Sequence, residues 1–261
     1  MTTPHLPAEI LDHIVDNLHD AERALKNCCL VSKSWIPRTR KHLFADIALI
    51  TRDDLALWKE TFPDPSSSPA CYAKILSIHC PYAIAGADVE TGGWIRGFSR
   101  VEHLRVGGYK AVNGMHADET KNFLVPLHGF SPAVKSLHVD FIACPSSQIL
   151  DLILSFPLIE DLTVINSQDV STHDLGDLDG PLIAVQPSNL PAFTGSLELS
   201  QGGMNPISQR LLTLPGGIHF RELHLTWFHD VDLPLTTGLV EGCSSTLEFL
   251  DIACSFHGTS I

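Results

Sequence analysis

Apolar and polar residues follow two different rhythms along this chain. Near the N-terminus, five apolar residues recur at helical spacing within residues 6–18: Ile10, Leu11, Ile14, Val15 and Leu18. This spacing predicts an amphipathic helix with one broad apolar face. From about residue 71 onward, short stretches alternate apolar and polar positions, which is typical of half-buried strands. The two rhythms predict a small helical region followed by a larger region built on a sheet.

Two further short helices are predicted before residue 45. Asp20 is expected to cap the second helix, whose apolar residues are Ala21, Ala24, Leu25, Cys28 and Cys29. Ser32 or Ser34 is expected to cap the third helix, with Pro37 in its opening turn. The apolar residues of the third helix are Trp35, Ile36, Leu43 and Phe44, and its basic residues, expected to stay in solvent, are Arg38, Arg40 and Lys41.

Seven strand-like units follow, each centred on a leucine. The leucines are Leu76, Leu104, Leu137, Leu162, Leu197, Leu223 and Leu250, spaced 25 to 35 residues apart. Helical or irregular stretches separate the units, which predicts an α/β solenoid with a parallel sheet. An ordinary α/β domain with a parallel sheet is the alternative. Little sequence follows the last unit, so the C-terminal cap that a solenoid needs is expected to be missing.

The N-terminal pattern resembles a known family of binding modules. It has Leu-Pro at Leu6 and Pro7, an acidic-apolar-apolar step from Glu9 to Leu11, a Val31-x-x-x-Trp35 core, and a closing apolar pair at Leu43 and Phe44. Over residues 5–48 this resembles an F-box, in the form common among fungal F-box proteins. After a connector at residues 49–70, residues 71–261 resemble degenerate leucine-rich repeats, although the Asn/Cys ladder position is missing.

The resemblance implies a role in ubiquitin transfer. F-boxes bind the Skp-type adaptor of SCF cullin–RING ubiquitin ligases, and the following repeats select a protein substrate. Carried over to this sequence, the expected adaptor-binding residues are Leu6, Pro7, Ile10, Leu11, Leu30, Val31 and Trp35. A module of about forty residues has little room to bury so many apolar side chains. The alternative is that the module only caps the solenoid, making the chain a non-catalytic repeat scaffold; the two roles are compatible.

The solvent-facing positions of the predicted strands are the candidates for substrate binding. They include Arg105, His138, Asp140, Asp161, Glu198, Glu222, His224 and Asp251. These positions become acidic toward the C-terminus, which suggests a protein substrate that carries Lys or Arg. A solvated face without a ligand is the alternative interpretation.

Charge and cysteine content restrict the partners further. The formal net charge is −13, from 17 basic and 30 acidic residues, so neither nucleic acid nor an anionic membrane surface is an expected partner. The N-terminus has no basic segment followed by an apolar run, and thus no signal peptide is expected. Seven cysteines, with no C-x-x-C pair, indicate a reducing compartment, the cytoplasm or the nucleus.

Motifs of catalysis are absent from the sequence. It contains no H-E-x-x-H, G-x-S-x-G, G-x-G-x-x-G or P-loop pattern. His138 and Asp140 share a strand face but lack a third ligand in a suitable pattern, and Cys254 with His257 is a weak nucleophile pair. We therefore expect no enzymatic activity, no cofactor and no metal.

Overall fold

The computed structural model describes residues 7–79, 93–107, 124–140, 146–165, 191–200, 204–228 and 232–254. Its α-helices are α1 (Ala8–Asp16), α2 (Glu22–Val31), α3 (Ile36–Leu43), α4 (Arg52–Thr61), α5 (Gly93–Arg96), α6 (Ser146–Leu154), α7 (Met204–Leu212) and α8 (Leu233–Gly242). Short 3₁₀ helices span Lys33–Trp35, Pro69–Tyr72 and Val125–Leu127. The strands are β1 (Asp46–Leu49), β2 (Ile75–Ile78), β3 (His103–Gly107), β4 (Ser136–Asp140), β5 (Asp161–Ile165), β6 (Ser196–Ser200), β7 (Glu222–Phe228) and β8 (Phe249–Cys254).

The eight strands form one parallel sheet in sequential order, β1 to β8. All seven predicted strands are confirmed, and helices lie between several of them, so the chain has an α/β fold. The structure adds β1, which pairs with β2 and crosses the boundary predicted between the helical module and the connector. Its alternation covers only four residues, with Ile47 and Leu49 buried. An alternation of four residues is too short to predict a strand from the sequence.

The central leucines of the seven units stack in register across the sheet. Leu76 pairs with Leu104, Leu104 with Leu137, and the series continues through Leu162, Leu197 and Leu223 to Leu250. Side chains of successive residues in a strand point to opposite faces, so this register places all seven leucines on one face. All except Leu250 are fully buried. The same register aligns the polar positions on the opposite face.

The N-terminal helices form as predicted in outline, with two corrections. Ala21 occupies the cap position of α2, so the prediction that Asp20 caps this helix is wrong. Ser32 accepts a hydrogen bond from the Ser34 N–H at 3.3 Å and begins the 3₁₀ turn that leads into α3, where Pro37 is the second residue. Arg38 is half-buried against α1 rather than solvated.

Aromatic side chains join the helical module to the sheet. Phe44, at the end of α3, contacts Trp58 and Phe62 of the connector with ring centroids 6.3 and 6.2 Å apart. Trp58 lies 5.4 Å from Phe98, which is fully buried in the main core. The helical module therefore packs directly against the first units of the sheet.

Candidate binding surfaces

Apolar side chains are exposed on the outer side of α1 and α2. Leu30 and Val31, at the end of α2, are 85% and 68% exposed. Ile10 and Ile14 of α1 are also exposed, as is Pro7 just before that helix. We call these five residues the apolar patch. Four large apolar side chains and a proline exposed within so small a module make a candidate interaction site.

The helical module has a small core of its own. Val15, Leu25 and Cys28 are buried between the three helices, together with Thr39. The Thr39 hydroxyl donates to the Trp35 carbonyl at 2.8 Å, so this buried polar group is satisfied. With its interior already filled, the module leaves the five apolar patch residues outside.

An ion-paired cluster fixes α1 against α3. The Asp16 carboxylate accepts hydrogen bonds from Arg38 Nε at 2.6 Å and from a second guanidinium nitrogen of Arg38. His42 Nε2 lies 2.7 Å from Asp16 Oδ1. The bidentate bond from Arg38, followed by the contact with His42, holds the pKa of Asp16 far below the usual range for a carboxyl group. Sequence reasoning missed this cluster, because Asp16 lies more than twenty positions from Arg38 and His42 and shares no motif with them.

The predicted adaptor-binding residues fall into an exposed group and a half-buried group. Pro7, Ile10, Leu30 and Val31 are exposed, whereas Leu11 and Trp35 are half-buried. Leu6 lies outside the described residues. The structure therefore brings four of these residues to the surface of one helical module and leaves two partly inside it.

The strands present one continuous polar row on the face opposite the leucines. The sheet register aligns Arg105, His138, Thr163, Glu198, His224 and Asp251, which we call the outward row. Asp161 and Glu222 lie on the same face two residues before the row, at the first residues of β5 and β7. Asp140 lies at the end of β4. All eight residues predicted for substrate binding are thus on the described strands. Of these eight, Arg105, Glu222 and Asp251 are exposed and the other five are half-buried.

The side chains of the outward row become more acidic toward the C-terminal strands. Burial lowers the pKa of His138, although the carboxylates of Asp140 and Glu198 oppose that effect. Further along, His224 lies between two carboxylates, with Nε2 3.6 Å from Glu222 and Nδ1 3.9 Å from Asp251. The C-terminal half of the row is therefore acidic, with one imidazole among its carboxylates.

The residues that immediately precede the strands form a second charged line. Three ion pairs occur along it: Lys74 with Glu102, Lys135 with Glu160, and Arg221 with Glu248. These side chains are substantially exposed, so each pair contributes little to stability. Gly195 interrupts the line between Glu160 and Arg221.

An open cleft of about 380 Å³ lies where Gly195 interrupts that line. Its lining consists of Glu160, Asp161, Thr194, Gly195, Ser196, Arg221 and Glu222. A Cβ at position 195 would lie 2.9 Å from the Glu160 carbonyl oxygen and closer still to the Asp161 carboxylate. A glycine is therefore needed there. Sequence reasoning missed the cleft, although a glycine directly before a strand is a usable signal of close approach.

Within the described ranges, no three His, Cys, Asp or Glu side chains come together as a metal site. In the same parts of the chain, no helix is long and apolar enough to cross a bilayer. Among the residues that the structure describes, buried polar atoms of His128, Gln148 and Asp151 have no hydrogen-bond partner.

No protein-family model matches this chain, and no curated protein matches it in sequence.

Proposed function

We propose that this protein is the substrate-recognition subunit of an SCF-type cullin–RING ubiquitin ligase. In this proposal the helical module binds a Skp-type adaptor, which connects it to the cullin scaffold. The sheet binds a protein substrate, and the chain catalyses no reaction itself. It acts by raising the effective concentration of substrate lysines near the ubiquitin carrier.

The observation that carries the proposal is the apolar patch. Its most exposed members, Leu30 and Val31, belong to the same segment that gives the sequence its F-box resemblance. Exposed leucine and valine side chains cost free energy in water, about 0.8 kcal/mol for each methylene group that a partner could bury. A partner surface that covers the patch would recover that free energy.

The sequential strand order supports the repeat interpretation of the sheet. Doubly wound α/β domains reverse their strand order at a switch point, whereas a solenoid adds each unit beside the previous one. Here the order is β1 to β8 without reversal. We therefore favour degenerate leucine-rich repeats, with the acidic half of the outward row as the surface for a basic substrate.

A scaffold without ligase coupling is a second candidate. It is favoured by the aromatic contacts of Phe44 with Trp58 and Phe62, which make the helical module a cover for the first end of the sheet. Capping of this kind is what a solenoid requires at its termini. The two candidates differ only in whether the apolar patch binds an adaptor.

Co-purification with a Skp-type adaptor tests the proposal. The wild-type chain is expected to retain the adaptor, and Ile10→Asp and Leu30→Asp are each expected to abolish retention. Both side chains are exposed, so these changes leave the core of the module intact. Leu57→Asp is the matched control, because Leu57 on α4 is 62% exposed but lies outside the patch. Absence of wild-type binding would leave the scaffold candidate.

A second arm of the experiment concerns the outward row. Glu198→Lys, Glu222→Lys and Asp251→Lys together are expected to abolish capture of a basic substrate while adaptor binding remains. Equal capture by wild type and triple variant would exclude this row as the substrate surface.

A further inference from the structure

The cleft at Gly195 is a gap in a regular line of side chains. Each residue directly before β3 to β8 donates its backbone N–H to the carbonyl of the equivalent residue one unit earlier, at 2.7–3.0 Å. The line consists of Lys74, Glu102, Lys135, Glu160, Gly195, Arg221 and Glu248. Cations and carboxylates alternate along it as far as Glu160. The missing side chain of Gly195 then leaves a space between a carboxylate and a guanidinium.

The first residues of the strands complete the walls of this space. Ser196 pairs with Glu222 in the register and donates two hydrogen bonds to Asp161, at 2.8 and 2.9 Å. The β5 side of the cleft therefore consists of Glu160 and Asp161, and the β7 side consists of Arg221 and Glu222. Neighbouring strands lie about 4.8 Å apart, so the backbones of the two sides are separated by roughly 10 Å.

Carboxylates outnumber cations among the residues that line the cleft. The lining contains three carboxylates and one guanidinium, that of Arg221. Arg221 lies 3.9 Å from Glu248, and Glu160 lies 3.9 Å from Lys135. Neither Glu248 nor Lys135 lines the cleft. Pairs this long between exposed side chains are weak, so the carboxylates of the cleft favour a ligand with positive charge.

The spread of the carboxylates indicates which kind of cation fits. Glu160, Asp161 and Glu222 do not converge on one point, since no three acidic, His or Cys side chains of the described residues form a metal site. A planar guanidinium carries five N–H donors on different edges, whereas an ammonium is a compact point charge. The volume of about 380 Å³ lies at the lower end for ligand pockets and suits one long side chain.

We propose that the cleft at Gly195 binds one arginine side chain of the protein substrate. The guanidinium lies in the space beside Gly195 and donates to Glu160 and to Asp161 Oδ2, the oxygen that Ser196 does not use. The carboxylate of Glu222 attracts it from the other side. Bidentate bonds between a guanidinium and carboxylates are strong and directional, so they fix the position of the substrate on the sheet.

The inference rests on the part of the proposed function that assigns the substrate to the sheet. It adds that one substrate position is occupied by arginine rather than by any basic residue. It requires neither the adaptor nor the apolar patch, so its experiment measures peptide binding alone.

An NMR titration of the isotopically labelled full chain tests the inference, with acetyl-Gly-Arg-Gly-amide as the probe. The backbone amides of Gly195 and Ser196 are expected to shift as the peptide binds. A peptide with citrulline in place of arginine keeps the shape but lacks the charge, and should bind at least about tenfold more weakly. A lysine peptide should bind about fivefold more weakly, because an ammonium cannot form the bidentate bonds.

Two variants of the chain form a matched pair. Glu160→Gln removes one charge from the cleft and is expected to weaken the arginine peptide about fivefold. Glu102→Gln is the control, because Glu102 has the equivalent place two units earlier and does not line the cleft. Both side chains are partly exposed. The peptide comparison uses the wild-type chain, so it remains valid if a variant fails to fold.

Four results would overturn the inference. They are equal binding of the arginine and citrulline peptides, equal binding of the lysine peptide, equal weakening by Glu160→Gln and Glu102→Gln, and unchanged amides at Gly195 and Ser196. If the amides of Glu198 and Asp251 shift instead, the outward row remains the substrate surface although the cleft does not bind arginine. Loss of adaptor retention is measured separately, with Ile10 and Leu30, so the two proposals can fail independently.

Discussion

The Asp161 carboxylate accepts two hydrogen bonds from Ser196 on the next strand. One comes from the Ser196 backbone N–H at 2.8 Å and the other from its hydroxyl at 2.9 Å. Both reach the same oxygen, Oδ1, which lies directly over Gly195. A residue predicted to contact a substrate is thus also a structural link between β5 and β6, and it depends on a glycine beside it.

Gly195→Ala is expected to destabilise the protein by about 1–3 kcal/mol, because the added methyl group would overlap with Asp161 and with the Glu160 carbonyl. Urea unfolding would measure this loss. When Asp161 is also replaced by alanine, Gly195→Ala should reduce the free energy of unfolding by a smaller amount, because the clash with the Asp161 carboxylate is gone. Additive costs in the double variant would contradict the proposed contact.

The Asp16 cluster predicts local loss of order in acid. Because the folded state lowers the pKa of Asp16, its contribution to stability is fully present above the ordinary carboxyl value of about 4 and is lost as pH falls below it. Asp16→Ala should remove this contribution at neutral pH. Hydrogen exchange of α1 amides is expected to accelerate, while amides of β4 keep their rates. Glu9→Ala, on the same helix, is the control, and equal acceleration there would refute the role of Asp16.

Removing the aromatic ring of Phe98, where the helical module meets the sheet, is expected to reduce stability strongly. Phe98→Ala is expected to cost about 3–5 kcal/mol, because Phe98 is fully buried and contacts Trp58. Chemical unfolding followed by tryptophan fluorescence would report the loss. Leu57→Ala, at an exposed site on a neighbouring helix, should change stability by less than about 0.5 kcal/mol. Similar costs for both variants would argue against the aromatic junction.

Replacing Asp151 is expected to increase the stability of the protein. One of its carboxylate oxygens is buried without a hydrogen-bond partner, and burial raises the pKa of this residue, an effect that nearby His128 opposes. A raised pKa means that the wild type loses stability as pH rises through the range above the ordinary carboxyl value. Asp151→Leu should therefore stabilise the protein by about 1 kcal/mol at pH 7, and by less at pH 4. Urea unfolding at both pH values would check this, and a loss of stability at pH 7 would contradict it.

Several elements of the fold were predictable from local patterns. The apolar spacing of Ile10, Leu11 and Ile14 predicted α1, and the alternation around each central leucine predicted seven of the eight strands. Pro37 lies in the first turn of the third helix as predicted, whereas Ser32 caps the 3₁₀ turn that leads into this helix and Trp35 holds the cap position of the helix itself. These features are local, because helix and strand periods and capping depend on residues a few positions apart.

Contacts between distant residues were not predictable in this way. Arg38 was expected in solvent, yet it binds Asp16, which lies 22 positions earlier. The cleft forms because Gly195 has no side chain between Glu160 and Arg221. Glu160, Gly195 and Arg221 belong to three different units of the chain. Neither arrangement leaves a periodic signal in the sequence.

The sequence by itself determined which residues are apolar, where strands and helices form, and that the units repeat. Only the tertiary structure decided which apolar side chains have neighbours to cover them. Leu223 and Leu250 have the same place in the pattern, but Leu223 is buried between neighbouring units and Leu250 is exposed on the edge strand. The reason is physical: periodicity is set along the chain, whereas burial depends on what packs against each face in space.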